Sequence, residues 1–156
     1  MATGLLFGLI AGVVLTGVLI KVVMPKMMIV TRRSRLGFDE TVEKLSGNIG
    51  GAEGWTLQNV WDMNQSMAKH GVDFPRRVQK LNLCNAGYAK EVLTDERWAS
   101  SLMPCGIAVW EDDGGGVWVS KMNTGLMGKL FGGTIARVMG GSVARDEHRM
   151  MEGVTG

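Results

Sequence analysis

Reactive side chains are scarce in this 156-residue sequence: two cysteines, Cys84 and Cys105, and two histidines, His70 and His148. None stands at CxxC or HxxxH spacing, which argues against a structural zinc site. Net charge is small as well. Seventeen Lys and Arg face 15 Asp and Glu, and the resulting +2 excludes a strongly basic nucleic-acid binder as the default. A hydrophobic content of 46% excludes an acidic disordered chain. Catalytic signatures are missing too: there is no G-x-S-x-G elbow, no GxxxxGKS/T loop and no H-E-x-x-H. Gly132-Gly133-Thr134 follows a helical pattern rather than a strand, so it does not read as a phosphate cradle. His148 sits in the charged run Arg145-Asp146-Glu147-His148-Arg149, which reads as a solvated face. His70 precedes Gly71 near a helix end, where a cation suits the dipole. Neither has a partner for general-base work, and the sequence leans away from an enzyme.

Charge is also missing from the first twenty residues, MATGLLFGLIAGVVLTGVLI, and Pro25-Lys26 marks the expected end of the apolar segment. Twenty-odd residues at about 1.5 Å rise cross a hydrocarbon core of about 30 Å. A cleaved signal peptide would carry a basic start and a small-x-small site after the run, whereas PKMMIV follows here. The expectation is one retained transmembrane helix, with residues 1–26 as the anchor. Lys21, Lys26, Arg32, Arg33 and Arg35 lie just after it as a basic collar for the membrane surface. The positive-inside rule then leans the rest of the chain toward the cytoplasm, with the periplasm as the alternative. Beyond residue 35 the balance is 12 cations against 15 acids, a net −3. Glycine, at 23 residues, is the compositional excess. Gly4, Gly8 and Gly12 recur every four residues, with Thr16 continuing the row, and so form a groove for a partner transmembrane helix, either a second copy or another subunit.

Past the anchor the pattern is one α+β domain, residues 27–152, followed by a tail, 153–156. Residues 27–33 read as a first strand. Asp39 reads as the N-cap of a helix carrying Val42, Leu45 and Ile49, ended by glycines at 47, 50, 51 and 54. A second strand is expected over 55–61, a helical turn over 65–69, and a third strand over 77–83 with Leu81 and Leu83 inward. Asn85 caps a helix through Ala89 and Leu93, and another helical segment, 95–102, stops at Pro104. CGIAVWEDDGGGVWVSKMN is the clearest local signal, a β-hairpin whose acidic tip reads as solvated turn. Residues 126–139 carry a helical apolar face, which either covers the sheet or lies on a membrane surface, and Gly140-Gly141 reads as its break.

The succession FDETVEKL, CNAGYAKEVL and LMPCGIAVWEDDGGGVWVSKMNTGLMGKLFGG resembles the domain-of-unknown-function 302 family over roughly residues 27–152. The likeness is to its membrane-anchored branch, which carries a cysteine in each of two motifs. These appear here as Cys84-Asn85-Ala86 and Met103-Pro104-Cys105; many relatives have Pro where this chain has Ala86. The resemblance implies a mixed, mainly antiparallel sheet with helices packed on one side, often dimeric, so a homodimer through the domain is one expected partnership. It implies no reaction. Relatives occur in sulfur-metabolising and other respiratory bacteria, which points to a bacterial inner (cytoplasmic) membrane, crossed once.

Cys84 ends a strand beside a helix N-terminus, where the dipole favours a thiolate. Cys105 shares inward parity with Ile107 and Val109. The pair reads as two small buried hydrophobes, as a disulfide or redox pair, or as a Cu(I) site with Met103 or Met122 as further soft ligands. Two functions remain. One is a non-catalytic accessory or assembly subunit of a membrane complex. The other is a membrane-tethered thiol-redox, sulfur-handling or Cu(I)-binding protein using Cys84 and Cys105.

Overall fold

The structure, a computed structural model, describes residues 2–156, with side-chain surroundings from residue 8 onward. Met1 of the expected anchor and the surroundings of Gly4 therefore lie outside the described residues. The apolar run forms helix α1, Ala2–Val18, which passes through a π-helical turn, Leu19–Val23, into α2, Met24–Met28. Pro25 has no N–H and its ring crowds the carbonyl four residues back, so the widened turn before it lets the helix continue. The helix expected to stop at Pro25-Lys26 thus reaches Met28. Within it Gly8–Met28 is a 21-residue segment of mean hydropathy 2.1, none of it buried, and it is long and apolar enough to cross a membrane.

No loop separates this helix from the sheet. Strand β1, Ile29–Arg33, begins at the next residue, followed by α3, Phe38–Gly50; β2, Trp55–Asp62; α4, Met63–Ala68; and β3, Val78–Asn85. Next come α5, Ala86–Asp95; a 3-10 helix, Arg97–Leu102; β4, Cys105–Glu111; and β5, Val117–Met122. The chain closes with α6, Thr124–Phe131; α7, Gly133–Arg137; a π-helical stretch, Val138–Val143; and α8, Ala144–Met150. The strands order β1-β5-β4-β3-β2, and every neighbouring pair is antiparallel.

Cross-strand register sorts the side chains. Leu81 pairs with Ile107 and Val109 with Val119, and all four are fully buried on one face with Leu45 and Ile49 of α3, Val138, Val143 and Met150. The opposite face carries Lys80, Ala108 and Ser120 across the same strands. One face packs on helices and the other carries polar groups, as expected for an antiparallel sheet.

Asp39 is not the cap of α3: Gly37 occupies that position, Glu40 Oε2 accepts from its N–H at 3.1 Å, and Asp39 instead pairs with Arg77. Gly47 lies inside α3 rather than ending it. At the hairpin tip Asp112 is more than a solvated turn residue. Its carboxylate accepts from Trp118 Nε1 (2.7 Å) and from the N–H groups of Gly116 (2.8 Å) and Gly114 (2.9 Å), and these donors hold it below the ordinary carboxylate range. Gly140-Gly141 does not break the C-terminal helices, because the π-helical stretch runs through both. The break is at Gly132 and Gly133, whose φ values of +70° and +52° suit glycine. Residues 153–156 are not a loose tail either: Val154 is fully buried, and Thr155 bridges to Ser34 beside β1.

Candidate functional site

Register places the chemistry-bearing residues at one end of the sheet. Ile29, where the apolar helix enters β1, pairs with Met122 at the end of β5. Cys105 opens β4 and pairs with Leu83, one residue before Cys84, and Asn85 ends β3 opposite Trp55. The acidic hairpin tip and α4 lie at the other end. The root of the apolar helix, both cysteines and the start of the C-terminal helices therefore share one neighbourhood.

Asn123 joins that root to the domain. Its side-chain oxygen accepts from Leu126 N–H (3.1 Å), capping α6, while its amide nitrogen donates to Met27 O (2.9 Å). Its backbone N–H donates to Met28 O at 2.8 Å. The last two carbonyls of one helix and a first-turn amide of another are satisfied by a single residue, which fixes the exit direction of the apolar segment.

Both cysteines are free thiols. They line one small cavity of about 20 Å³ with Met103, Pro104 and Tyr88. Met122 does not line that cavity; it meets Cys105 and Met103 in a larger crevice. Burial, helped by the nearby Glu147 carboxylate and Cys84 and opposed by Lys121, pushes the Cys105 thiol up to about 12, so it is protonated at neutral pH. At Cys84 the adjoining helix end is capped by Asn85, whose side-chain oxygen accepts from Tyr88 N–H at 3.1 Å. Among the described residues no three His, Cys, Asp or Glu side chains converge as a metal site.

The sequence reading missed an acidic pair. Asp146 and Glu147, in a run whose composition is that of a solvated face, are buried at 8% and 1% exposure. Consecutive helical residues point about 100° apart, so the two carboxylates serve different clefts. Asp146 Oδ2 accepts from Trp55 Nε1 (3.0 Å) and Tyr88 Oη (3.2 Å), and the carboxylate pairs with Arg149. Burial alone would raise its pKa, but these three donors outweigh burial and hold it below the ordinary range. It stands in a cleft of about 720 Å³ with Asn48, Trp55, Asn85 and Tyr88. Glu147 Oε2 accepts from Lys121 Nζ (2.7 Å) and Thr124 Oγ1 (2.9 Å) at the wall of the crevice, about 380 Å³, that also holds Cys105, Met122, Lys80 and Ile29. One sequence signal was available: Trp55 and Tyr88 each carry a polar hydrogen that needs an acceptor when buried.

Lys21, Lys26, Arg32, Arg33 and Arg35 are all exposed, the first two on the helix and the rest on or beside β1. Gly8, Gly12 and Thr16 lie on the unburied part of α1, and a Cβ added at either glycine would meet nothing within 4 Å. In residues 126–139, Met127, Ile135, Val138 and Met139 are buried in the domain, leaving Leu130 and Phe131 about half exposed.

The sequence profile described as "Domain of unknown function DUF302" matches residues 30–154. The crystal structure of an uncharacterized conserved DUF302 protein from Bacillus stearothermophilus is similar at a TM-score of 0.69 and 17% identity, over 81% of this chain and 97% of that one. At that identity the likeness is one of fold. Among curated proteins, none matches.

Proposed function

The chain belongs to the DUF302 family, and from that premise we propose that it is a single-pass accessory or assembly subunit of a membrane complex, respiratory or sulfur-metabolising, without catalysis of its own. One observation carries the reading. The apolar helix is 21 residues of unburied surface, joined to the edge strand without a linker and fastened by Asn123. A flexible tether would need neither feature. A helix held at a fixed angle presents its small-residue row to a neighbour in a fixed orientation, and the open space over Gly8 and Gly12 supports close approach of another backbone there.

Replacing Gly4, Gly8 and Gly12 together with Leu is expected to abolish stoichiometric co-purification of the partner in mild detergent, while the triple Ala variant retains it. Equal retention in both would overturn the reading. A second copy captured in place of another subunit would identify the partner as the chain itself.

A second reading, a thiol or Cu(I) protein, is favoured by the cavity shared by Cys84, Cys105 and Met103. Cu(I) would have to displace the proton that burial holds on Cys105. Alkylation and native mass spectrometry of the extracted protein decide this. Two unmodified, metal-free thiols that resist oxidation would exclude it.

A further inference from the structure

The crevice at the helix root holds a cation whose placement depends on a glycine. A Cβ at Gly106 would lie 2.2 Å from Lys80 Cε and 3.1 Å from its Nζ, so the Lys80 side chain lies flat across strand β4 where only glycine leaves room. Gly106 pairs with Asn82, two residues closer than Lys80 to the end of the sheet where the apolar helix enters. Lys80 therefore leans toward that end. One step beyond the Ile107–Lys121 pair the row reaches Met122, which pairs with Ile29, and this puts the ammonium about two strand spacings, roughly 10 Å, from the first residue after the helix. A polar headgroup layer is of similar depth, about 5–8 Å on each side of the hydrocarbon.

The charge on the crevice follows from its pairing. Lys121 is neutralised by Glu147, whereas among the described residues Lys80 makes no ion pair. Cys105 is protonated. The wall therefore presents one uncompensated positive charge. Beside it lies the Ser120 hydroxyl, which has no side-chain hydrogen bond among the described residues, and Ile29, Leu102, Met103 and Met122 supply apolar surface.

We propose that this crevice is an anion site at the bilayer surface, in which Lys80, held across Gly106, takes the phosphate of a ligand whose apolar part rests on Ile29 and Met122. A phospholipid headgroup and free phosphate share that chemistry, and the position at the helix root favours the lipid. The proposal rests on the helix being a membrane span, which resistance to alkaline carbonate extraction tests separately. Native mass spectrometry of the detergent-extracted full chain should then show phosphatidylglycerol retained over phosphatidylcholine. Lys80→Gln should lower that retention roughly tenfold, the scale of one charged hydrogen bond. Gly106→Ala keeps the charge but makes the flexible end of Lys80 swing aside, and should lower retention by less than Lys80→Gln does. Lys69→Gln, at the opposite end of the sheet, should not. A chain that carbonate releases, yet that binds inorganic phosphate in a Lys80-dependent manner, keeps the anion site and removes the lipid as its source. Retention and phosphate binding both unchanged in Lys80→Gln and Gly106→Ala overturn the proposal.

Discussion

Glu147→Ala is expected to destabilise the domain by about 3–5 kcal/mol, the cost of leaving a buried charge without its partner. The side chains of Lys121 and Glu147 are only 12% and 2% exposed, so water does not replace the lost carboxylate. Thr124 loses an acceptor in the same change. The pair itself is a weak stabiliser, because its mutual attraction is largely offset by the desolvation of both ions. Lys121→Met with Glu147→Leu should therefore recover most of the loss, and the double variant should lie within about 1–2 kcal/mol of the parent. Urea unfolding of the full chain in detergent micelles measures both. A single variant within about 1 kcal/mol of the parent would show that the ammonium escapes to solvent and that the pair is not a buried one.

That carboxylate also marks the limit of the sequence reading. Elements governed by near neighbours were legible: the hairpin β4–β5 from its alternation and glycine turn, the Asn85 cap of α5, and the inward parity of Leu81 and Leu83. Contacts between distant segments were not. Asp146 meets Trp55 across 91 residues and Tyr88 across 58, and Glu147 meets Lys121 across 26. Locally, a run of five charged or titratable residues has the composition of a solvated helix face, and nothing within a helical turn shows that two of its carboxylates are roofed by the sheet. Both cysteine motifs lie at strand ends, with Cys84 just before the helix that Asn85 caps, as the sequence indicates. Lys80 drew no notice because its special geometry belongs to Gly106 on the neighbouring strand.

The glycines give the sharpest contrast, because one substitution should have opposite signs at two helical sites. At Gly128 in α6 an added Cβ would lie 2.6 Å from Gly140 Cα, 2.9 Å from Gly140 N and 3.1 Å from Ala136 Cα, all of them backbone. A flexible side chain could swing aside, but here two helices must separate, an overpacking cost of about 1–3 kcal/mol or more. Because every clashing atom is backbone, the cost belongs at about 3 kcal/mol, the upper end; alanine's better helix propensity returns about 1 kcal/mol, so Gly128→Ala should remain destabilising by about 2 kcal/mol. At Gly47, exposed inside α3, an added Cβ would meet nothing within 4 Å. The propensity term then acts alone, and Gly47→Ala should stabilise by about 0.4–1 kcal/mol. Both follow from the same unfolding measurement, and a neutral Gly128→Ala would mean that α6 and the π-helical stretch do not touch backbone to backbone. Gly140-Gly141 looks like a helix break in the sequence because glycine is a poor helix former. At Gly140 that weakness is tolerated because the chain passes so close to Gly128 that an added Cβ would lie 3.1 Å from Gly128 Cα.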